Sequence, residues 1–278
     1  MMKLSQKLLI GMLSVLPLSV FAQIQNITID GDHGKLAAMM QTPDIKGSYP
    51  MVIIMHGFTS DKDFVLLEQI ASSLEKNGIA SIRFDFNGHG MSEGKFEEMT
   101  VANEITDARK VYEYAKNLPN VSSISLSGHS QGGVVASMLS GQLGSENIKS
   151  VALLAPAAVL RDDALRGQIF DVKYDAINPP KEVDLNDPYH KGYKIGYEYI
   201  KTAQTMPIFE TAAKYDGAVC IIHGSHDTIV PYTYSERYNS TYKNSRLIMI
   251  DKADHTFTDH FAEVVKTATD FFTKELKK

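Results

Sequence analysis

Cysteine is almost missing from this 278-residue chain, in which Cys220 is the only one. A disulfide within the chain is therefore excluded. Cys220 sits in the apolar stretch 218–222 and reads as a small buried residue rather than a nucleophile. Cationic charge is also scarce: 28 Lys and Arg stand against 33 Asp and Glu, a net charge of −5. A polybasic surface is thereby excluded, and nucleic acid with it as a partner. Long apolar runs are missing as well. The one candidate, residues 8–20, is shorter than the roughly 20 residues needed to span a bilayer, and Pro17 interrupts it. Internal repeats and low-complexity tracts are absent.

What is present starts with a leader. Lys3 and Lys7 precede the apolar run, and Val20 and Ala22 put small residues at −3 and −1 of a cut before Gln23. That layout predicts a secretory signal over residues 1–22, cleaved on export to the periplasm or the medium. No membrane association is expected after cleavage. No cysteine follows the leader, so lipid attachment at a new N-terminal Cys is excluded.

Beyond residue 22, short apolar runs alternate with helix-length amphipathic segments. Residues 24–40 predict a hairpin turning at 31–34. Runs at 51–55, 79–86, 121–126, 150–154, 219–223 and 246–250 predict strands. Segments 64–76, 101–118, one opening at 134–139, and 259–276 predict helices. In the first of these, Phe64, Leu67, Ile70, Ala71 and Leu74 recur at helical spacing, and Asn77-Gly78 supplies the stop. This order predicts an α/β domain over 23–278, with a mostly parallel sheet flanked by helices. Residues 157–210 break the rhythm. They lack a clear strand, hold Pro179, Pro180, Pro188 and Pro207, and are rich in tyrosine. So long a stretch is no simple loop, and an inserted cap over the sheet's carboxyl edge is expected.

Gly128-His129-Ser130-Gln131-Gly132 lies between a predicted strand and a predicted helix. A sharp turn there pushes a serine side chain out at the sheet edge, and residues two before and two after must be small. A serine hydroxyl needs a base within hydrogen-bond reach. The acid and then a histidine are sought in loops after later strands. Asp227 follows the strand 219–223, and His255 follows the strand 246–250. His226 shares the acid's loop, His260 falls in the last helix and His190 in the cap, so each is a poorer base. Asp251, Asp254 and Asp259 lie too near His255 in sequence to reach its distal ring nitrogen. The backbone N–H groups of Gln131 and Phe58 are the expected oxyanion donors. His223, His226 and Asp227 cluster without a convincing metal-ligand set. No metal and no cofactor are expected.

With these residues the sequence resembles the α/β-hydrolase superfamily over nearly all of residues 23–278. The segment from Asp85 through Gly88-His89-Gly90-Met91-Ser92 is similar to that superfamily's D-x-x-G-H-G-x-S turn. More narrowly the chain resembles bacterial cinnamoyl (feruloyl) esterases. The matching pieces are His56-Gly57-Phe58-Thr59, the Ser130 motif, Leu154-Ala155-Pro156-Ala157-Ala158, the run through Asp227 to Pro231, and Ala253-Asp254-His255 with Phe257. The resemblance implies a phenolic ring held by the cap. Asp163 matches the acidic position, Tyr199 the tyrosine, and Gln168, in a looser match, a third polar contact. It implies a serine ester hydrolase releasing hydroxycinnamates such as ferulate from plant cell-wall esters. The expected partner is a small ester or feruloylated oligosaccharide, and a homodimer is left open. A general carboxylesterase or lipase and a serine aminopeptidase-like enzyme share the motifs. A catalytically silent binding protein of the same fold is the non-enzymatic alternative.

Overall fold

The computed structural model describes residues 23–186 and 190–277. The expected leader, residues 1–22, lies outside the described residues, as do Pro188 and Tyr189. Strands β1 (Gln23–Asp30) and β2 (Lys35–Thr42) form the expected hairpin, its turn closed by Gly31 N–H donating to the Gly34 carbonyl at 2.8 Å. Strands and helices then alternate as β3 (Tyr49–Met55), α1 (Val65–Lys76), β4 (Ala80–Phe84), α2 (Val101–Lys116), β5 (Val121–His129), α3 (Gln131–Leu143) and β6 (Ile148–Leu154).

The chain next leaves the sheet. It forms α4 (Val159–Arg166) and two small antiparallel pairs, β7 (Gln168–Ile169) with β8 (Val172–Lys173), and β9 (Glu182–Asp184) with β10 (Lys194–Gly196). Helices α5 (Tyr197–Thr205) and α6 (Ile208–Ala212) complete this insertion. The small strands escape pattern reading because two or three residues are too few to show alternation. The alternating order resumes with β11 (Ala218–Gly224), α7 (Thr233–Thr241), β12 (Ser245–Ile250) and α8 (Phe261–Leu276).

Eight strands form one sheet in the order β1-β2-β4-β3-β5-β6-β11-β12. The β1–β2 and β2–β4 pairs are antiparallel, and every pairing from β4 across to β12 is parallel. A parallel sheet is covered on both faces, so its inner strands are apolar on both sides. Strand β3 shows the consequence. Met51, Ile53 and Met55 enter one core with Ala108 and Val111 of α2 and Val134 of α3. Val52 and Ile54 enter the other with Leu67 and Ile70 of α1 and Val264 of α8. All five β3 residues are fully buried. At roughly 2 kcal/mol per buried aliphatic side chain, these layers rather than local propensity hold the helices in place.

This topology positions the site. Phe58 follows β3, Ser130 follows β5, Asp227 follows β11 and His255 follows β12. Each therefore leaves the carboxyl end of a parallel strand, the edge where open α/β sheets bind ligands.

Candidate active site

Between β5 and α3 there is no loop, and Ser130 alone makes the turn, with φ 54° and ψ −120°. L side chains avoid this region, at a cost of order 1–3 kcal/mol that the surroundings must offset. Ser130 N–H donates to the Leu154 carbonyl at 2.9 Å, and its own carbonyl accepts from Gly133 at 2.9 Å and Ala157 at 3.0 Å. The two motif glycines are sterically required. A Cβ on Gly128 would lie 2.1 Å from the Gly132 carbonyl oxygen, and one on Gly132 2.3 Å from that of His56.

His255 bridges the serine and the acid. Its Nε2 lies 2.9 Å from Ser130 Oγ, and its Nδ1 lies 2.7 Å from Asp227 Oδ2. An ionised carboxylate only accepts, so Nδ1 carries the proton and Nε2 faces the hydroxyl as acceptor. Asp227 Oδ1 accepts from the Ile229 and Val230 N–H groups at 2.9 and 2.8 Å. Its Oδ2 also lies 3.0 Å from Nε2 of the buried His223. Burial pushes the Asp227 carboxyl up, but hydrogen bonds from His223 and His255 outweigh it and hold the group below the usual carboxylate range.

The competing residues are placed elsewhere. His226 is exposed, with its backbone N–H on the Ala253 carbonyl. His260 caps the start of α8, and His190 stacks on Phe170 in the insertion. Asp254 binds Thr256 and Thr258 within its own turn, and Asp251 accepts from Ser225. His89 is buried against His56 and Phe96, which fits a turn residue.

The loop after β3 runs against the serine, since a Cβ on Gly57 would meet Ser130 Cβ at 2.9 Å. Thr59 in this loop has φ 55°. Among the described residues, neither Phe58 N–H nor Gln131 N–H donates to a protein acceptor. Gln131 directly follows Ser130, Phe58 directly follows Gly57, and both line one cavity with the serine.

A cavity of about 390 Å³ opens between Ser130 and the insertion. Asp163, Gln168 and Tyr199 all line it, together with Phe58, Phe170 and Gln131. Their polar groups already have partners. Asp163 is paired with Arg166, and Gln168 Nε2 donates to the Phe170 carbonyl at 2.8 Å. Tyr199 O–H donates to Gln131 Oε1 at 2.8 Å. Burial raises the Asp163 carboxyl, against the pull of Arg166.

Two residues beside the site were not singled out as participants from the sequence. In the sequence His223 belongs only to a cluster without a ligand set, and in the structure it touches Asp227. Glu104 lies on the buried face of α2 and accepts from Gln131 Nε2 at 2.9 Å on each oxygen. Its signal was a charge on the apolar face of an amphipathic helix, between Val101 and Ala108.

The profile of the family described as "Serine aminopeptidase, S33" matches residues 48–173. The mitochondrial palmitoyl-protein thioesterase ABHD10 of Bos taurus is 28% identical over 228 residues, 76% of this chain and 71% of that protein. Its Mus musculus counterpart is 27% identical over 199 residues, 69% of this chain and 63% of that protein. Est1E from Butyrivibrio proteoclasticus, solved with ferulic acid bound, superposes with a TM-score of 0.86 at 33% identity, covering 91% of this chain and all of Est1E. A serine turn of this geometry, at this edge of this sheet, in a fold shared with Est1E over almost its whole length, places the chain in the α/β-hydrolase family.

Proposed function

We propose that this protein is a serine ester hydrolase acting through an acyl-enzyme, with hydroxycinnamate esters such as those of ferulic acid as substrates. The carrying observation is the continuous chain from Ser130 Oγ through His255 to Asp227. Ser130 Oγ attacks the ester carbonyl carbon while His255 Nε2 takes its proton. The oxyanion rests on the Phe58 and Gln131 N–H groups, aided by the positive end of α3. His255 then gives the proton to the leaving alkoxide, and the alcohol departs. Water, deprotonated by His255, cleaves the acyl-enzyme by the same steps. Asp227 fixes the imidazole tautomer and stabilises its charged form.

The acyl preference is supported by the likeness to Est1E, the protein solved with ferulic acid. The cavity's aromatic walls suit a ring, and its volume of about 390 Å³ is within the usual range for small-molecule sites. With the expected leader removed, the enzyme acts in the periplasm or outside the cell. The likeness to ABHD10 supports a second reading, hydrolysis of acyl thioesters by the same three side chains. Methyl ferulate, p-nitrophenyl butyrate, palmitoyl-coenzyme A and an aminoacyl anilide, assayed side by side, separate these readings. Methyl ferulate is expected to give the highest kcat/KM. A ferulate rate orders of magnitude below the butyrate or thioester rate would remove the hydroxycinnamate reading.

A further inference from the structure

Glu104 is 1% exposed, Gln131 2% and Tyr199 5%, and the three form one hydrogen-bonded line beside the serine. The line crosses three elements. Glu104 belongs to α2, Gln131 is the first residue of α3, and Tyr199 belongs to α5 of the insertion. Both ends of the Gln131 amide are in use, its N–H₂ on the Glu104 carboxyl and its oxygen on the Tyr199 hydroxyl. Gln131 cannot rotate without breaking both. The Tyr199 ring lies 5.9 Å from the ring of Phe58, which follows Gly57, the residue packed against Ser130.

A buried carboxyl with no cationic partner is costly to the fold. No Lys or Arg pairs with Glu104 among the described residues. Burial raises its pKa well above the usual value; the Gln131 bond opposes this and nearby Asp107 adds to it. A leucine here would suit the buried face of α2 better. A group that works against its own helix while holding a residue of the site is expected to have a role there.

We propose that Glu104 is a positioning residue. By fixing the Gln131 side chain it locks Tyr199 of the insertion onto the serine turn, and so sets the enzyme's preference for ring-bearing over short acyl groups. This rests on the serine ester hydrolase reading. Without Glu104 the Gln131 amide is free to turn, Tyr199 loses its anchor, and the cavity wall loosens where a ring would lie. A butyryl group is too short to depend on that wall.

The test compares kcat/KM for methyl ferulate with kcat/KM for p-nitrophenyl butyrate. Glu104→Leu is expected to lower the ferulate-to-butyrate ratio about tenfold, mostly through KM for ferulate, the effect of one lost hydrogen bond. Adding Tyr199→Phe to Glu104→Leu should change the ratio by less than about twofold, because the two residues act in one line. If Glu104→Leu does not fold, Glu104→Gln serves; it keeps one acceptor and should lower the ratio about threefold. An unchanged ratio, an equal loss of kcat for both esters, or a Tyr199→Phe effect as large in the variant as in the wild type overturns the proposal. Labelling of wild-type Ser130 by a fluorophosphonate probe separates the two levels. No labelling and no turnover defeat the hydrolase reading, whereas labelling with an unaltered ratio defeats only the role of Glu104.

Discussion

The side chain of His129 holds the backbone of His255, with Nε2 2.9 Å from the His255 carbonyl oxygen. A carbonyl only accepts, so Nε2 carries the hydrogen. The residue just before the serine thus fixes the loop that carries His255. The turn that presents Ser130 and the loop that presents His255 are tied directly, not only through the side-chain contact between these two residues. The His129 ring is buried, and its Nδ1 has no partner among the described residues. Burial, with the neighbouring His255 adding to it, lowers its pKa to about 3.

Acid should destabilise the fold from near-neutral pH downward. Burial lowers His56 to about 4 and His89 and His129 to about 3, whereas unfolded histidines titrate near ~6.5. Across the window between those values the unfolded chain binds three more protons than the folded one at these sites, so stability falls as pH falls. Glu104 and Asp107 act in the opposite sense, being raised by burial, Asp107 to about 6. Asp163 is raised in the same sense, whereas Asp227, held low by its hydrogen bonds, adds to the loss in acid, so the sign follows the histidines. Tm is therefore expected to be several degrees lower at about pH 4.5 than at about pH 6.5. A flat or rising Tm toward acid would contradict the buried neutral histidines.

Ser130→Ala should abolish ester turnover and leave circular dichroism unchanged, and retained hydrolysis would place the nucleophile elsewhere. Ser130→Gly should be equally inactive but more stable, by about 1 kcal/mol, because glycine adopts φ 54° without strain. Thermal melts of the two variants check this, with the glycine variant melting higher.

Asp227→Asn should lower kcat by about 10³–10⁴-fold with little change in KM, because an amide donor facing Nδ1 favours the wrong tautomer. Steady-state kinetics on p-nitrophenyl butyrate read this out. A loss below about tenfold would mean that another group orients His255.

Asp163→Ala should raise KM for methyl ferulate more than for p-nitrophenyl butyrate, by about tenfold for one lost polar contact. The substitution also frees Arg166 from its partner. Equal changes for the two esters would take Asp163 out of ring recognition.

Much of the fold was legible because several inner strands of the sheet carry unbroken apolar runs. The buried runs of β3, β6 and β11 are strands of a sheet covered on both faces, and they stand out in any reading of hydropathy. The serine turn was legible because Gly128 and Gly132 are demanded by backbone contacts under 2.5 Å, which no other residue could meet. The insertion was legible only as an interruption, since β7 to β10 are too short to show a period. Asp163, Gln168 and Tyr199 do line the cavity, but their ties to Arg166, Phe170 and Gln131 could not be read from spacing.

By itself, then, the sequence determined the alternation of strands and helices and the tight turn at Ser130, because periodicity and glycine placement are local properties of the chain. Tertiary structure alone decided which oxygen of Asp227 meets His255, that His223 shares it, and that Glu104 reaches Tyr199 through Gln131. Those contacts join residues far apart in the chain, and hydrogen bonds reach only about 3 Å. They exist only once the packed sheet has brought its loops together at one edge.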